Sequence, residues 1–298
     1  MNVSEAMSLP PSTTLTREDL KQFSVLSGIA KSDAGLVIPV EKAPMLFARL
    51  NKRLRALGIT SRSEYCRLVS SPNGKSERKE LISTLTTNVT SFFRENHHFE
   101  TLIRELETNL APKVRSGEGL RFWSAGCSTG PEAYSIAMVV LEKIPDASNL
   151  DIRILATDID SNVLNTAREG IFDDSQTDLI SPNRRNRFFS KNHDDSTNST
   201  TFQVNKELRN LVTFRNLNLL DEWPMRRGFD AIFCRNVVIY FDKITQHDLW
   251  PRFENSCLPG GLLFLGHSER LDELYTGDFH ACGTTTYRRA MTNCRRKD

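Results

Sequence analysis

The feature that most constrains the fold of this chain is a series of short apolar runs that begins after residue 119. The runs read LRFWSA, IRILATDI, LVTFRNLNL, FDAIFCRN and GLLFLGH, and they are rich in β-branched and aromatic residues. Helical stretches at 131–144, 161–169 and 243–257 separate several of them. Strands that alternate with helices form a parallel sheet with helices on both faces. The sequence therefore predicts an α/β domain, and FHACGTTTYRR near its end predicts a strand pair at a sheet edge.

The chain before residue 111 has a helical pattern instead. Thr16 and Asp19 are typical of a helix N-cap followed by an acidic first turn. Leucines recur at helical spacing from Leu46 to Leu57, and Gly58 is placed to end that helix. Further helices are predicted at 63–70, at 81–93 and from there to 110. The predicted parts are a flexible leader (1–15), a helical N-terminal domain with its linker (16–110) and the α/β domain (111–298).

Segment 170–212 interrupts the α/β pattern. It contains a short helix candidate at 181–189, a polar stretch and a possible strand, FQV. It is too long and too varied for a simple crossover between two strands. We therefore expect a small subdomain inserted in the α/β domain.

Composition and charge exclude several classes of protein. The net charge is only +2, which argues against a nucleic-acid-binding protein. No apolar run approaches the roughly 18–20 residues that cross a bilayer, and the N-terminus lacks the basic and apolar regions of a signal peptide. None of the six cysteines lies in C-x-x-C spacing. We therefore expect no metal site and free thiols in a reducing cytoplasm.

The stretch FWSAGCSTGPEAYS (122–135) predicts a nucleotide-type ligand. It lacks the spacing G-x-x-x-x-G-K-[ST] and the third glycine of G-x-G-x-x-G. Gly126 and Gly130 allow the backbone to approach a ligand closely, and Asp158 ends the next strand, where it could accept both hydroxyls of a ribose. Glu132 adds a second carboxylate, and two carboxylates would repel a pyrophosphate but suit the sulfonium and amino groups of S-adenosylmethionine. Taken singly, Asp158 could equally end a strand, and Glu132 could be a solvated helix residue.

Five motifs are specific enough to suggest a family. They read TTNVTSFFRENHHF (86–99), WSAGCSTGPEAYSIA (123–137), ATDID (156–160), FCRNVVIYF (233–241) and GGLLFLGHSE (260–269). They resemble the chemoreceptor glutamate O-methyltransferases, the CheR family, and the resemblance spans about residue 18 to 290. It implies a small all-α N-terminal domain and a Rossmann-like, S-adenosylmethionine-dependent methyltransferase domain with a small inserted β-subdomain. It also implies methyl transfer to receptor glutamates, with S-adenosylhomocysteine as the product.

The resemblance further implies roles for particular residues. The cofactor site would comprise Asn88, Thr90, Arg94, Glu132, Asp158, Asn218, Leu219, Asn236 and Val237. The catalytic residues would be Arg94 and Tyr240. Pro131 stands where the family usually has an acidic residue, while Glu132 is retained.

Arg94 is the candidate that would hold one oxygen of the substrate carboxylate, because a guanidinium binds carboxylates with fixed geometry. The alternative is a surface ion pair with Glu95. Tyr240 could equally pack in the core. His97 and His98 have no matching set of partners in the sequence, so we interpret them as helix residues rather than metal ligands.

The helical domain carries a basic face that suggests its partner. The candidates for substrate recognition are Arg49, Lys52, Arg53 and Arg55. Such a face fits an acidic helical partner, the cytoplasmic signalling domain of chemoreceptors, although it could also be a solvated surface. A small-molecule methyltransferase would not need it. An inactive binding module is a further alternative, but the intact site motifs argue against it.

Some members of the CheR family bind a receptor C-terminal peptide on the β-subdomain, through a turn that contains glycine. The corresponding stretch, SKNHDDSTNSTTFQV (190–204), has no glycine and carries Asp194 and Asp195. We therefore expect no receptor-tail tether. The alternative is that Asn192 or Asn198 supplies the same backbone geometry, since Asn tolerates positive φ. A monomer without membrane insertion is also expected.

Overall fold

The computed structural model describes residues 15–196 and 198–291. Nearly all of the predicted leader (1–15) lies outside the described residues. The chain forms two compact units, Met1–Leu85 and Thr86–Asp298. In the described residues, no helix is both long enough and apolar enough to cross a membrane.

The described part of the first unit is helical. Its helices are α1 (Arg17–Ala34), α2 (Ala43–Leu57), α3 (Arg62–Ser70) and α4 (Lys75–Leu85), with 3₁₀ turns at Val40–Lys42 and Pro72–Gly74. Their apolar faces meet in a core that includes Leu26, Leu46, Leu50 and Tyr65. This confirms the predicted helical domain.

Two of the predicted helix ends are confirmed and one predicted helix is wrong. Thr16 and Asp19 form a reciprocal capping box, in which the Asp19 N–H donates to Thr16 Oγ1 over 3.1 Å. Gly58 ends α2 in the left-handed conformation, with φ of 67°. The helix predicted at 81–93 stops at Leu85. The following residues, TTNVT, are β-branched or Asn at every position, and these types are poor helix formers.

The second unit contains all the strands in the described part of the chain. In chain order they are β1 (Leu120–Ala125), β2 (Ile152–Asp158), β3 (Ile171–Asp173), β4 (Phe189–Asp194), β5 (Ser199–Val204), β6 (Val212–Asn216), β7 (Phe229–Cys234), β8 (Cys257–Leu265), β9 (Phe279–Gly283) and β10 (Thr286–Arg289). Seven of them form a sheet in the order β6-β2-β1-β7-β8-β10-β9. The first five strands in that order are parallel, and β10 is antiparallel to both of its neighbours. The predicted strand pair at a sheet edge is therefore confirmed.

Helices cover both faces of the sheet. In chain order, the helices of the second unit are α5 (His97–Glu105), α6 (Ala111–Arg115), α7 (Pro131–Lys143), α8 (Ser161–Glu169), α9 (Asp174–Thr177), α10 (Pro182–Phe188), α11 (Lys206–Leu211) and α12 (Lys243–Ser256), with a π-helical turn at Leu106–Leu110. Successive residues of a strand point to opposite faces. Accordingly, Phe122 lies in one core with α5 and α7, and Trp123 lies in another with α12.

Residues 86–110, which the sequence pattern grouped with the helical domain, belong to the second unit. Phe92, Phe99 and Leu106 are buried in the larger core of that unit. Helical periodicity shows that a segment has an apolar face, but it does not show which core that face joins.

The segment around 170–212 carries a separate three-stranded antiparallel sheet in the order β3-β5-β4. Phe172 packs edge-on against Phe92, with ring centroids 4.9 Å apart. The α/β class, the helical N-terminal domain and the inserted β-subdomain are thus confirmed. In the turn between β4 and β5, Asn198 has φ of 49°.

Candidate active site

Four parallel strands end at one edge of the large sheet. Asp158 of β2 is paired with Asn216 of β6, and Thr157 with Ala125 of β1. On the other side of β1, Ser124 is paired with Phe233 of β7. The chain adds strands in one direction from β1 to β6 and in the other from β7 to β8, so the switch point lies between β1 and β7. Ligands of such sheets bind outside the carboxyl ends of the strands at that point.

The loop after β1 lies close against its neighbours. The N–H groups of Gly126 and Cys127 both donate to the carbonyl of Thr157, over 2.8 and 2.9 Å. Gly126 has φ of +88°, and a Cβ there would lie 2.3 Å from Cγ2 of Val237. Gly130, with φ of +97°, precedes Pro131 at the start of α7. Glycine is therefore required at 126 by both conformation and space.

Asp158 holds the loop in place and still has acceptor capacity. Its carboxylate accepts the Ser128 N–H on Oδ2 over 2.8 Å and the Asp160 N–H on Oδ1 over 3.0 Å. A carboxylate has about four acceptor sites, so these bonds leave acceptor capacity for ribose hydroxyls. Burial raises the pKa of Asp158, and the backbone hydrogen bonds oppose that rise.

Asn88 connects the segment before α5 to this loop. Its Nδ2 donates to Asp160 Oδ2 over 2.9 Å, and its carbonyl accepts the hydroxyl of Ser128 over 2.8 Å. Asp160 also caps α8 through the Asn162 N–H. Thr90 is half-buried two residues later. Asp160 was not among the predicted site residues, although its position in ATDIDS is typical of a helix N-cap.

Arg235, which the sequence analysis also missed, lies between two carboxylates. Its side chain is only 2% exposed, and its guanidinium is 3.3 Å from Glu132 Oε2 and 3.4 Å from Glu95 Oε2. It also donates to the carbonyl of Arg94. Glu132 accepts the Ser124 hydroxyl on its other oxygen over 2.6 Å. Burial raises the pKa of Glu132, and Arg235 opposes the rise.

Arg94 is half-buried and turned toward the chain before it. Its Nη1 donates to the carbonyl of Val89 over 3.1 Å. Its neighbours Phe93 and Glu95 have φ of 53° and 55°. Glu95 faces Arg235 and His267, and among the described residues Arg94 has no carboxylate partner. The alternative of an Arg94–Glu95 ion pair is therefore not what the structure contains.

The turn after β7 contains three more of the predicted residues. Asn236 has φ of 60°, and the N–H groups of Asn236 and Val237 donate to the carboxylate of Glu269, over 2.8 and 2.9 Å. Tyr240 is half-buried at the end of a 3₁₀ turn, Val238–Tyr240. Glu269 lies within the motif GGLLFLGHSE, but its position in the sequence does not indicate this role.

Asn218 and Leu219 follow β6 at the same edge. The Leu217 N–H donates to the carbonyl of Asp158 over 3.0 Å, which keeps this segment beside β2. Asn218 Oδ1 accepts the Leu220 N–H over 3.1 Å, and Leu219 is 7% exposed. The edge thus brings together the predicted residues that follow β1, β2, β6 and β7.

Glu95, His97 and His98 form a group whose candidate ligand atoms lie within 4.8 Å of one another. Burial lowers the pKa of His98 to about 3, so its ring is neutral. Arg235, 3.4 Å from Glu95, already supplies positive charge at this place. A divalent cation would be repelled by it, and the interpretation of the histidines as non-ligands stays a prediction.

The basic residues of α2 differ in their surroundings within the first unit. Arg53 is held in a two-bond ion pair with Glu77, over 2.8 and 2.6 Å, and Tyr65 donates to the same carboxylate. Arg49 donates to the carbonyl of Leu85. Lys52 and Arg55 are exposed. Arg53 therefore stabilises its own domain, which the sequence pattern could not show.

The fold and the site together define a class of protein. A doubly wound sheet carries a glycine loop after β1, an acid after β2 and further buried carboxylates at the same edge, an arrangement that suits a cationic nucleoside better than a pyrophosphate. This is the site of an S-adenosylmethionine-dependent methyltransferase. Residues 88–288 match the family model "CheR methyltransferase, SAM binding domain", and residues 21–86 match "CheR methyltransferase, all-alpha domain". The chain belongs to the CheR methyltransferase family.

Curated relatives match over most of their length. A "Probable chemotaxis protein methyltransferase" of Rhizobium etli is 45% identical over 266 residues, which cover 89% of this chain and 98% of the relative. The "Chemotaxis protein methyltransferase" of Salmonella typhimurium is 40% identical over 255 residues, 85% of each chain. That of Escherichia coli is 40% identical over 253 residues, again 85% of each. The predicted family, methyltransferase activity and cofactor are confirmed, whereas the roles of individual residues stay predictions.

Proposed function

We propose that this enzyme transfers the methyl group of S-adenosylmethionine to glutamate side chains of chemotaxis receptors, and that the resulting methyl esters serve sensory adaptation. The family supports the methyltransferase chemistry, and the printed names of the relatives support the link to chemotaxis. The observation that carries the proposal is Arg94, a half-buried cation at the site edge that has no carboxylate partner among the described residues.

A glutamate substrate makes modest demands on the protein. Its carboxyl has a pKa of about 4.3, so it is already ionised near neutral pH and needs no general base. When bound, S-adenosylmethionine supplies an electrophilic methyl on a sulfonium. The protein must align the carboxylate with that methyl and remove its water. Arg94 is proposed to hold one carboxylate oxygen while the other is left to react, and Tyr240 is proposed to lie beside the reacting groups.

The cofactor is proposed to lie along the strand edge from β6 to β7. Asn218 and Leu219 would flank the adenine, and Asp158 would accept the ribose hydroxyls with its remaining acceptor capacity. Asn236 and Val237 would adjoin the methionine end. Asn88, Thr90 and Glu132 would complete the site; the Asn88 amide and the Glu132 carboxylate already bond to the chain, so part of their role is to fix its shape.

Receptor recognition is proposed to use the basic face of α2. Lys52 and Arg55 are exposed and would meet acidic side chains of the receptor signalling domain, with Arg49 half-buried beside them. Arg53 is a weaker candidate than the sequence pattern predicted, because Glu77 already binds its guanidinium. The enzyme would act as a monomer in the cytoplasm, where that receptor domain lies, without binding nucleic acid or entering the membrane.

We also propose that receptors are bound without a C-terminal peptide tether. Asp194, which ends β4, and Asp195, which follows it, would repel a peptide that ends in a carboxylate. The missing glycine is a weaker argument, because Asn198 takes positive φ in that turn. Titration with a receptor-tail peptide tests this proposal. Micromolar binding would contradict it, and normal receptor methylation without detectable binding would support it.

The test of the main proposal is incubation with radiolabelled S-adenosylmethionine and membranes that contain receptors. Label should appear on the receptors and be released by mild base, since methyl esters hydrolyse where N-methyl groups do not. An Arg94→Ala enzyme that still binds S-adenosylhomocysteine is the control and should transfer little label. Base-stable label, or label on other proteins only, would refute the proposal.

A further inference from the structure

We propose that Glu269 is a positioning residue, which holds the turn after β7 in the shape that receives the methionine end of S-adenosylmethionine. Glu269 follows the end of β8 and is 3% exposed. The inference rests on the proposed placement of the methionine end at Asn236 and Val237.

Four backbone donors converge on the Glu269 carboxylate. Oε2 accepts the N–H groups of Asn236 and Gly266, over 2.8 and 2.6 Å. Oε1 accepts those of Val237 and Ile239, over 2.9 and 3.2 Å. The roughly four acceptor sites of a carboxylate are then filled. Glu269 therefore acts through the turn and does not itself contact the cofactor.

The turn needs such an acceptor because of its backbone shape. Asn236 has φ of 60°, a conformation that costs free energy and persists only where the surroundings enforce it. In this shape three N–H groups of the turn point inward at one place, where each would be left unsatisfied without an acceptor. Gly266, which follows β8, lies close against this turn. A Cβ on Gly266 would be only 2.7 Å from the backbone nitrogen of Asn236.

The turn after β7 also packs against the glycine loop after β1. Val237 reaches the place where a side chain at Gly126 would be, within 2.3 Å of a Cβ there. A displaced turn would therefore alter the loop after β1 as well as the proposed contacts of Asn236. Asp158, two strands from β7, is held by separate hydrogen bonds from Ser128 and Asp160. Loss of Glu269 should thus affect the methionine end and spare the ribose end.

The experiment compares two ligands on Glu269→Gln by calorimetric titration. The amide keeps the size of the side chain but presents an NH₂ group to two of the four N–H donors. S-adenosylhomocysteine carries the methionine end, and 5′-methylthioadenosine lacks it. We expect affinity for the first to fall by about tenfold or more, because binding would have to restore the displaced turn at a cost of about one buried hydrogen bond. Affinity for the second should stay within about twofold.

Matched variants separate positioning from general destabilisation. Asp230, 4% exposed, accepts the Arg121 N–H over 2.8 Å near the opposite end of β7. Asp230→Asn should lower the melting temperature without changing the ratio of the two affinities. Glu269→Asp keeps the charge, and it should lose less affinity for S-adenosylhomocysteine and none for 5′-methylthioadenosine. This variant also tests the proposal if Glu269→Gln does not fold.

An equal loss for both ligands in a folded Glu269 variant, or no loss for either, would overturn the inference. Asn236→Gly tells whether the inference about Glu269 or the placement of the methionine end at Asn236 is wrong. Glycine accepts the positive φ, so this substitution removes only the side-chain amide of Asn236. If Asn236→Gly changes neither affinity, the placement of the methionine end is wrong. If it weakens S-adenosylhomocysteine alone while Glu269→Gln does not, only the inference about Glu269 is wrong.

Discussion

Replacing Asp158 by Asn tests the carboxylate that is proposed to bind the ribose of the cofactor. Each oxygen of Asp158 accepts one backbone N–H, from Ser128 or from Asp160. Asn retains a single oxygen, so one of these donors must face an NH₂ group. The same change leaves only one of the two proposed ribose hydroxyls with an acceptor.

The magnitude follows from these bonds. A hydrogen bond to a charged group contributes about 1.5–3 kcal/mol. Because about 1.4 kcal/mol corresponds to a factor of ten in affinity, losing one ribose bond should raise the Kd roughly 10- to 150-fold. The backbone donor left without an acceptor costs a further 1–3 kcal/mol or so of folding free energy. Asp158→Asn should therefore melt at a lower temperature as well, a cost that the sequence alone did not reveal.

Calorimetric titration with S-adenosylhomocysteine, well below the melting temperature of the variant, measures the binding effect separately. An analogue that lacks the ribose 2′-hydroxyl provides the control. If Asp158 binds the ribose, the loss of affinity caused by Asp158→Asn and the loss caused by removing the 2′-hydroxyl should not add. Asp158→Asn should therefore weaken binding of the analogue less than binding of the full ligand. An unchanged Kd in the folded variant, or equal losses for both ligands, would refute the assignment.

The pH dependence of binding gives an independent check. Burial raises the pKa of Asp158, so it takes up a proton at a higher pH than an ordinary Asp, whose pKa is about 3.9. Only the ionised carboxylate offers both acceptor sites. The affinity for the cofactor should therefore fall as the pH is lowered through the raised pKa. In Asp158→Asn, the affinity should depend less on pH over the same range.

Three further predictions concern arginine and lysine side chains. Arg94→Ala should lower the rate of methyl transfer on the order of 10²-fold, more than it weakens cofactor binding, and Arg94→Lys should recover little; full activity of the Lys variant would show that the fork geometry is unimportant. Lys52→Glu with Arg55→Glu should raise the KM for receptors at low salt, and the effect should shrink as salt screens it; a KM indifferent to charge and salt would contradict this. Arg53→Ala should instead lower the melting temperature, because Glu77 loses its ion-pair partner. Burial opposes ionisation of Glu77, but its hydrogen bonds hold its pKa below the usual value. The difference in melting temperature between Arg53→Ala and the unmodified protein should therefore be present near neutral pH. It should shrink as the pH falls through that lowered pKa, as calorimetric melting would show.

The large sheet could be predicted because burial on both faces leaves a strong pattern. All six residues of β7, Phe229–Cys234, are buried, and FDAIFC reads as an apolar run. β4 gives no such signal, because only Phe189 of its residues is buried and the rest are exposed. Its polar run SKNHD is a strand only by virtue of pairing with β5, a contact that periodicity does not encode.

The site residues divide in the same way. Asp158 and the glycine loop could be predicted from position, since Asp158 ends one apolar strand and the loop directly follows another. Arg235 and Glu269 could not, because their partners are distant in sequence: Glu132 lies 103 residues from Arg235, and Asn236 lies 33 residues from Glu269. Neither residue type nor spacing shows that a buried charge will meet its partner across a fold.

Backbone shape explains why the segment before α5 was predicted least well. Six non-glycine residues in the described part of the chain have positive φ, and four of them, Phe93, Glu95, Ser128 and Asn236, lie in the segments that border the site. Such conformations are costly and tend to occur where function requires them. Hydrogen bonds from distant residues hold them: the Phe93 N–H donates to Ser135 Oγ over 3.0 Å. The helix predicted at 81–93 therefore fails for two reasons: TTNVT after Leu85 favours a helix only weakly, and long-range contacts such as this one hold the residues that follow in a turning backbone.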